Sequence, residues 1–505
     1  MLLFTPILIL FLTLVALGLG NLQRGFRSNW LLVLGGAALA WLSLLFLRLR
    51  LPLEVSLPAW WAGRSLEFQA RFGLDNVSWT LAFLVTSLLV TVLLLQVEHA
   101  MQARWSSWAP TLAAAVATLL ACVSGDVLTL FLAWIVLDVV IFGSLMLLAN
   151  GPEERLQQLA RMPQHLAAAG LLLAAWLLSF YGAAVQSLLV LLAGGLRLGL
   201  WQPAVVTKPL PGLRTEQQTL LFHTPLAAGL SAFGLAQGAA PPLFLLLILL
   251  PSLYAALQWL RGEQPQWAYW QLAAGGLAAA SAALGQVQAL LAFAGLLFLG
   301  PAVLTAVRSA GQLRLPLAVG GALLLCGLPL TGSQGVLALF AGGQFFGYVF
   351  LPLHAALVAG WFLFALLRGS ASEPSEPWMV AIQRAGLTLP AIVLMGFGPG
   401  LLPGLQDEAA AWWPAALVAA LAAVLALLRR QITWRPSAQV RSRYKLLGMA
   451  LGLNWVSALG RLAQRGLAGL LALTASLLEG RAGVLWALVV LTLLVSLISN
   501  LGIGS

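Results

Sequence analysis

Long uninterrupted apolar runs constrain this chain more than any other feature. Residues 243–250 and 484–491 are two stretches with no charged side chain, and runs like them recur from end to end. A helix that crosses a bilayer core of about 30 Å needs about 20 such residues. A transmembrane barrel is excluded, because its strands would alternate apolar and polar residues. Of the 505 residues, 61% are apolar and 8% charged, against about a quarter charged in an ordinary soluble domain. That excludes a soluble globular protein, a disordered chain and a disulfide scaffold. Roughly 300 apolar residues are enough for an all-α polytopic membrane protein of about 14–16 transmembrane helices.

Spans are expected near 1–20, 30–47, 76–97, 109–125, 127–149, 164–182, 184–203, 217–237, 240–260, 267–285, 288–307 and 315–331. An apolar stretch at 335–367 is interrupted by Leu351-Pro352, and further spans fall near 378–403, 411–428 and 482–501. The first run lacks a basic n-region, so it reads as a spanning helix and not as a signal peptide. The chain carries 26 Lys+Arg against 15 Asp+Glu. Lys208 and Lys445 are the two lysines, and the arginines fall singly or in small groups between apolar runs. Basic loops (Arg24 and Arg27, Arg104, Arg155 and Arg161, Lys208 and Arg214, Arg261, Arg308 and Arg314) alternate with short uncharged ones. Such alternation marks every second loop as cytoplasmic and places the N-terminus outside. It is topology, not a nucleic-acid face. Cys122 and Cys326 lie inside apolar runs and read as small apolar residues. The tryptophans mostly flank spans, as an interfacial belt does.

Four regions follow: N-terminal spans with an external loop (1–70), a transmembrane core (71–430), a basic segment with an amphipathic helix (431–481) and a C-terminal span (482–505). Residues 429–445 hold six cations and no acid, which suits the cytoplasmic surface. Arg461 and Arg465 share a helical face, so 446–478 is expected along the interface or a neighbouring subunit. Pro and Gly break the segments 195–225 and 327–352, and paired discontinuous helices point to inverted repeats around an ion path.

Several stretches resemble one family, the antiporter-like membrane subunits of respiratory complex I. The family also includes subunits of multi-subunit cation/proton antiporters and membrane-bound hydrogenases. Phe72 to Ser78 is similar to its F-x-x-D-x-x-S helix entry, and Phe131-Leu132-Ala133-Trp134 to the start of its W-E helix. Ala268-Tyr269-Trp270 resembles A-Y-S-T, Leu296 to Gly300 resembles K-A-L-L-F-L-G, and Gly327 to Gly332 resembles G-I-P-P-x-x-G-F. The resemblance implies about 14 helices in two inverted five-helix units with broken helices. It also implies a row of ionisable groups at the membrane midplane, partner membrane subunits, and no cofactor or redox chemistry of its own.

The chain departs from the family where that row should stand. The family's glutamate falls on Ile135, its lysine before A-L-L-F-L-G on Ala294, the histidine upstream on Leu290, and the charge after Gly-Phe on the uncharged stretch ending in Val336. Three groups remain as proton-path candidates. Asp138 lies one turn beyond Ile135, either as a displaced substitute or as a neutral, hydrogen-bonded carboxyl. Arg197 sits near the family's broken-helix lysine. It cannot release a proton, so it pairs with Asp138 or snorkels to the surface. His223 enters the next helix, as a relay imidazole or an interfacial one. His165 and Asp126 read as surface groups or helix caps. No catalytic or metal-binding motif stands out. The expectation is a membrane-arm subunit of an NADH-quinone oxidoreductase-like complex in the bacterial inner membrane, with a degenerate relay. The alternatives are a non-pumping structural subunit, or a partner for cation/proton antiport or inorganic-carbon uptake.

Overall fold

The computed structural model describes residues 2–429 except 23–28, 60, 63–66, 96, 98–104, 149–150, 152–161, 202–219, 237–240, 263–266, 310–313, 328–330, 342–344, 368–375 and 397–411. The basic segment, the amphipathic helix and the C-terminal span expected beyond 430 lie outside the described residues, as do Lys208 and Lys445. Fifteen helices of ten or more residues follow one another among the described residues. They are α1 (Thr5–Leu22), α2 (Asn29–Leu47), α3 (Asn76–Leu95), α4 (Trp105–Cys122), α5 (Val127–Leu148), α6 (Met162–Leu177), α7 (Ala183–Arg197) and α8 (Leu226–Leu235). Then come α9 (Pro242–Arg261), α10 (Trp267–Ala283), α11 (Val287–Ser309), α12 (Arg314–Leu325), α13 (Leu351–Leu367), α14 (Pro377–Gly396) and α15 (Trp413–Leu428). Among the described residues, eight helices are long and apolar enough to cross a membrane. The chain is an all-α polytopic membrane protein. Helices are the form such runs must take, since hydrocarbon offers the backbone no other hydrogen-bond partner.

The centre is formed by α3 and α11, each 89% buried along its apolar window, whereas α1 and α14 are 28% and 22% buried. Helix α3 packs against α2, α11 and α14. Two of its threonines bond within the helix: Thr80 and Thr86 turn their hydroxyls onto the carbonyls of Asn76 and Ala82. The exposed side chains of the outer helices are themselves apolar, among them Leu8, Phe11, Val139 and Leu147, as a lipid-facing surface requires.

The motif positions named above do structural work. Asp75 is the cap of α3: its carboxylate accepts the Ser78 N–H at 2.8 Å while its own N–H donates to Ser78 Oγ at 2.7 Å, a reciprocal capping pair. Trp270 and Gly300, from two separate motifs, meet. A Cβ on Gly300 would stand 2.3 Å from the Trp270 ring, and Trp270 Nε1–H donates to the Leu297 carbonyl. The connection 48–75, read from sequence as a loop, contains the antiparallel strands β1 (Leu53–Ser56) and β4 (Arg71–Leu74), with a second pair, β2 (Trp61–Ala62) and β3 (Glu67–Phe68), between them. Gly73 N–H donates to the Val123 carbonyl and Gly125 N–H to that of Arg71, which ties the connection to the turn between α4 and α5. Strands of two to four residues are too short to give a periodic signal.

Two helices end early. Helix α7 stops at Arg197 after 15 residues and α12 at Leu325 after 12, short of the twenty that a span needs. Each stops the same way, with a glycine two positions on at positive φ: Gly199 at 76° and Gly327 at 85°. At the first break, Leu200 N–H closes onto the Gly195 carbonyl and Gly199 N–H onto that of Leu196. This pattern satisfies the orphan carbonyls of a helix end and needs the left-handed residue that glycine supplies.

Candidate functional site

The first break carries a buried ion pair. Arg197, the last residue of α7, extends to the middle of α5, where its Nη1 lies 2.7 Å from Asp138 Oδ1 and 2.8 Å from Oδ2. The arginine side chain is 1% exposed and that of the aspartate 9%. A lone charge in hydrocarbon costs about 2.5–3.5 kcal/mol on insertion scales, so each makes the other tolerable. Close helix packing sets the geometry. A Cβ on Gly194 would lie 2.6 Å from the Phe233 ring and 2.9 Å from the Gly229 carbonyl, so α7 and α8 touch backbone to backbone beside Arg197.

Trp134 supports the cation. Its ring centroid is 4.9 Å from the guanidinium carbon, a cation–π distance, and its Nε1–H donates to the Ala228 carbonyl of α8 at 3.2 Å. The pairing uses one arginine nitrogen. Nε and Nη2 are buried and have no hydrogen-bond partner among the described residues. Buried donors of this kind are usually met by internal water.

His165 belongs to the site, a correction to its reading as a surface group or cap. Its Nδ1 lies 2.9 Å from Asp138 Oδ1, and its ring meets Phe142 edge-on at 5.2 Å. It misled because it sits in the first turn of α6, where a histidine ordinarily faces the interface. The signal lay in its neighbour: Gln164 Nε2 donates to the Leu196 carbonyl, so two consecutive polar side chains on α6 both turn inward to the break. Asp126 does cap a helix, accepting the Thr129 N–H at 2.7 Å at the start of α5. His223 is buried in the helical turn just before α8 and is not part of this ion pair. Ala294 and Val336, the positions where the family has charge, are fully buried.

The arrangement can hold charge and can hand a proton to and from the imidazole. Arginine stays protonated and pairs with the Asp138 carboxylate, and the His165 imidazole meets the same carboxylate oxygen.

No family model matches the chain, and no curated protein matches it in sequence. Solved structures do match in fold. One chain of the Mrp complex from Dietzia sp. DQ12-45-1b superposes at a TM-score of 0.61 with 16% identity over 99% of this chain. The present chain spans 63% of that chain's length. A chain of the membrane-bound sulfane sulfur reductase, an archaeal respiratory membrane complex, superposes at 0.60 with 15% identity, covering 97% of this chain and 99% of that one. A chain of respiratory complex I from Thermus thermophilus superposes at 0.54 with 23% identity, covering 77% and 97%. The chain shares its fold with these chains of membrane complexes.

Proposed function

We propose that the chain is a membrane-arm subunit of an NADH-quinone oxidoreductase-like energy-converting complex, with an antiporter-like fold and a degenerate proton relay. The observation that carries this is the Arg197–Asp138–His165 triad, set at a helix break between α5, α6 and α7. A purely structural bundle has no need of three ionisable side chains there. The relay is degenerate because Arg197 cannot give up a proton and because Ala294 and Val336 offer none. Proton movement through the first half then runs over His165, with Asp138 and Arg197 as the fixed charges that orient it and His223 as the next imidazole. Redox chemistry belongs to partner subunits, and the setting is the bacterial inner membrane.

A second reading, a non-pumping structural subunit of such a complex, is favoured by the burial of the uncharged Ala294 and Val336. A partner role in cation/proton antiport or inorganic-carbon uptake draws on the same likeness in fold. Expression of the tagged chain in its native host, followed by gentle solubilisation, is expected to bring down other membrane subunits. In vesicles holding the recovered complex, Asp138→Asn is expected to lower proton uptake severalfold. Unchanged uptake would move the assignment to the structural reading, and recovery of the chain alone would remove the complex.

A further inference from the structure

Away from the breaks, four arginines of the described residues stand at neighbouring helix ends. Arg261 closes α9, Arg308 lies in the last turn of α11, Arg314 opens α12 and Arg429 follows α15. All four are half-buried. Arg429 Nη2 donates to the carbonyls of Gly262 at 2.6 Å and Arg261 at 3.5 Å, at the end of α9. Arg314 Nε donates to the carbonyl of Ala365, in the last turn of α13, at 2.5 Å. A Cβ on Gly360 of α13 would stand 3.2 Å from Leu260 Cα, so α9 and α13 run close together at this end. Against these cations, the described helix ends here hold one acid, Glu376 at the start of α14. The sequence after Arg429 adds cations and no acid up to Lys445. The alternation of basic and uncharged loops makes this the cytoplasmic face.

A guanidinium with one edge tied to helix-end carbonyls is held in place and keeps further N–H donors. Arg314 Nη2 is buried and has no hydrogen-bond partner among the described residues, so it asks for an acceptor. Fixed guanidiniums bind phosphate oxygens in pairs, and their being fixed beforehand lowers the ordering cost of binding. What adjoins the cations separates a lipid from a free phosphate. On α15 the residues just before Arg429 include the exposed Val424, Leu427 and Leu428, with Leu427 81% exposed. On α12 those just after Arg314 include the exposed Leu315, Leu317 and Val319. At 1.5 Å per residue, each apolar flank reaches about 8 Å from its cation toward the bilayer centre. A charged head above an apolar flank is the order of groups in a phospholipid.

We propose that this end of the subunit is a binding surface for anionic phospholipid. Arg429 holds one lipid phosphate at the ends of α9 and α15, and Arg314 holds another where α12 meets α13. The acyl chains lie on the exposed flanks of α15 and α12. The excess of cations selects a head group of net negative charge, such as phosphatidylglycerol, over phosphatidylethanolamine, whose ammonium cancels its phosphate. The surface lies apart from both helix breaks and does not depend on whether the chain moves protons.

The test uses the full-length chain, purified in dodecyl maltoside and washed free of lipid. It is titrated with dioleoylphosphatidylglycerol or dioleoylphosphatidylethanolamine, with and without inorganic phosphate, and native mass spectrometry reads the lipid bound. Phosphatidylglycerol is expected to bind at least about fivefold more tightly than phosphatidylethanolamine, and phosphate at equal concentration should not displace it. Arg314→Gln/Arg429→Gln is expected to remove that preference. Arg50→Gln/Arg71→Gln, which takes the same charge from the external connection 48–75, should leave it. Equal binding of the two lipids by the unaltered chain, displacement by phosphate, or equal loss in the two double variants would each overturn the proposal. Should Arg314→Gln/Arg429→Gln fail to fold, the single variants decide: each is expected to lose part of the preference, and an unchanged preference in both overturns it.

Discussion

At the end of α7 the helix stops in Gly199 and presents a guanidinium; at the end of α12 it stops in Gly327 and presents only carbonyls. The backbone device is the same and the side chains that answer it are opposite. At the first break the cation of Arg197 meets the carboxylate of Asp138, with His165 behind it. At the second, Ser333 and His354 donate to the carbonyls of Leu324 and Leu325, and no ion pair is recorded there among the described residues. A helix can thus be interrupted inside hydrocarbon in two ways, provided each freed backbone group finds a partner. The difference separates breaking a helix from charging the break. Glycine and local capping achieve the first, while only facing side chains achieve the second.

The largest expected effect tests the charge. Arg197→Leu strands Asp138 and is expected to cost about 3–5 kcal/mol, read as a lower unfolding temperature and yield in detergent. His354→Leu removes one neutral hydrogen bond and should cost about 1–2 kcal/mol. Equal losses would break the comparison. The double variant Arg197→Leu/Asp138→Asn should recover much of the first loss, because the two residues act as a unit.

The shared backbone device comes next. Alanine in the left-handed region costs about 1–2 kcal/mol, so both Gly199→Ala and Gly327→Ala should destabilise. Gly327→Ala should lose more, since its Cβ would stand 2.6 Å from Val336 and 3.1 Å from the Ser333 carbonyl, whereas at Gly199 it would meet only Gln164 at 3.7 Å. Thermal unfolding of the two variants side by side checks the order.

The smallest effects sharpen each side. Trp134→Phe keeps a ring over Arg197 but removes the indole donor to the Ala228 carbonyl, and Ser333→Ala removes the hydroxyl donor to that of Leu324, which keeps the Gly327 N–H. Each should cost about 1 kcal/mol by the same measurement. A Trp134→Phe loss of several kcal/mol would mean that the indole, and not Asp138, is the main support of the cation.

Much of this was legible residue by residue. Asp138 and Arg197 stand out because a charge inside an apolar run is costly and therefore asks for a partner. The Asp75–Ser78 cap and the two breaks could be read from short spacings. His165 was misplaced because a histidine in the first turn of a span is ordinarily interfacial, and its partner is 27 residues away. His354 drew no notice: a single imidazole inside the run 335–367 has no local partner, and its acceptor lies 29 residues back, on another helix. The strands of the 48–75 connection left no pattern, being held by bonds to Val123 and Gly125 instead of by a repeat of their own.

The sequence by itself determined the membrane setting, the succession of spans, the caps and the two places where helices stop. Hydropathy is a sum over neighbours in the chain, and caps and glycine turns act within a few residues. What the tertiary structure decided is which break is charged and which is neutral. That depends on side chains 27 and 59 positions apart, and a side chain and a carbonyl 29 apart, being carried face to face by helix packing. In a low-dielectric interior, an ångström of separation decides whether two such groups stabilise each other or stand exposed to hydrocarbon alone.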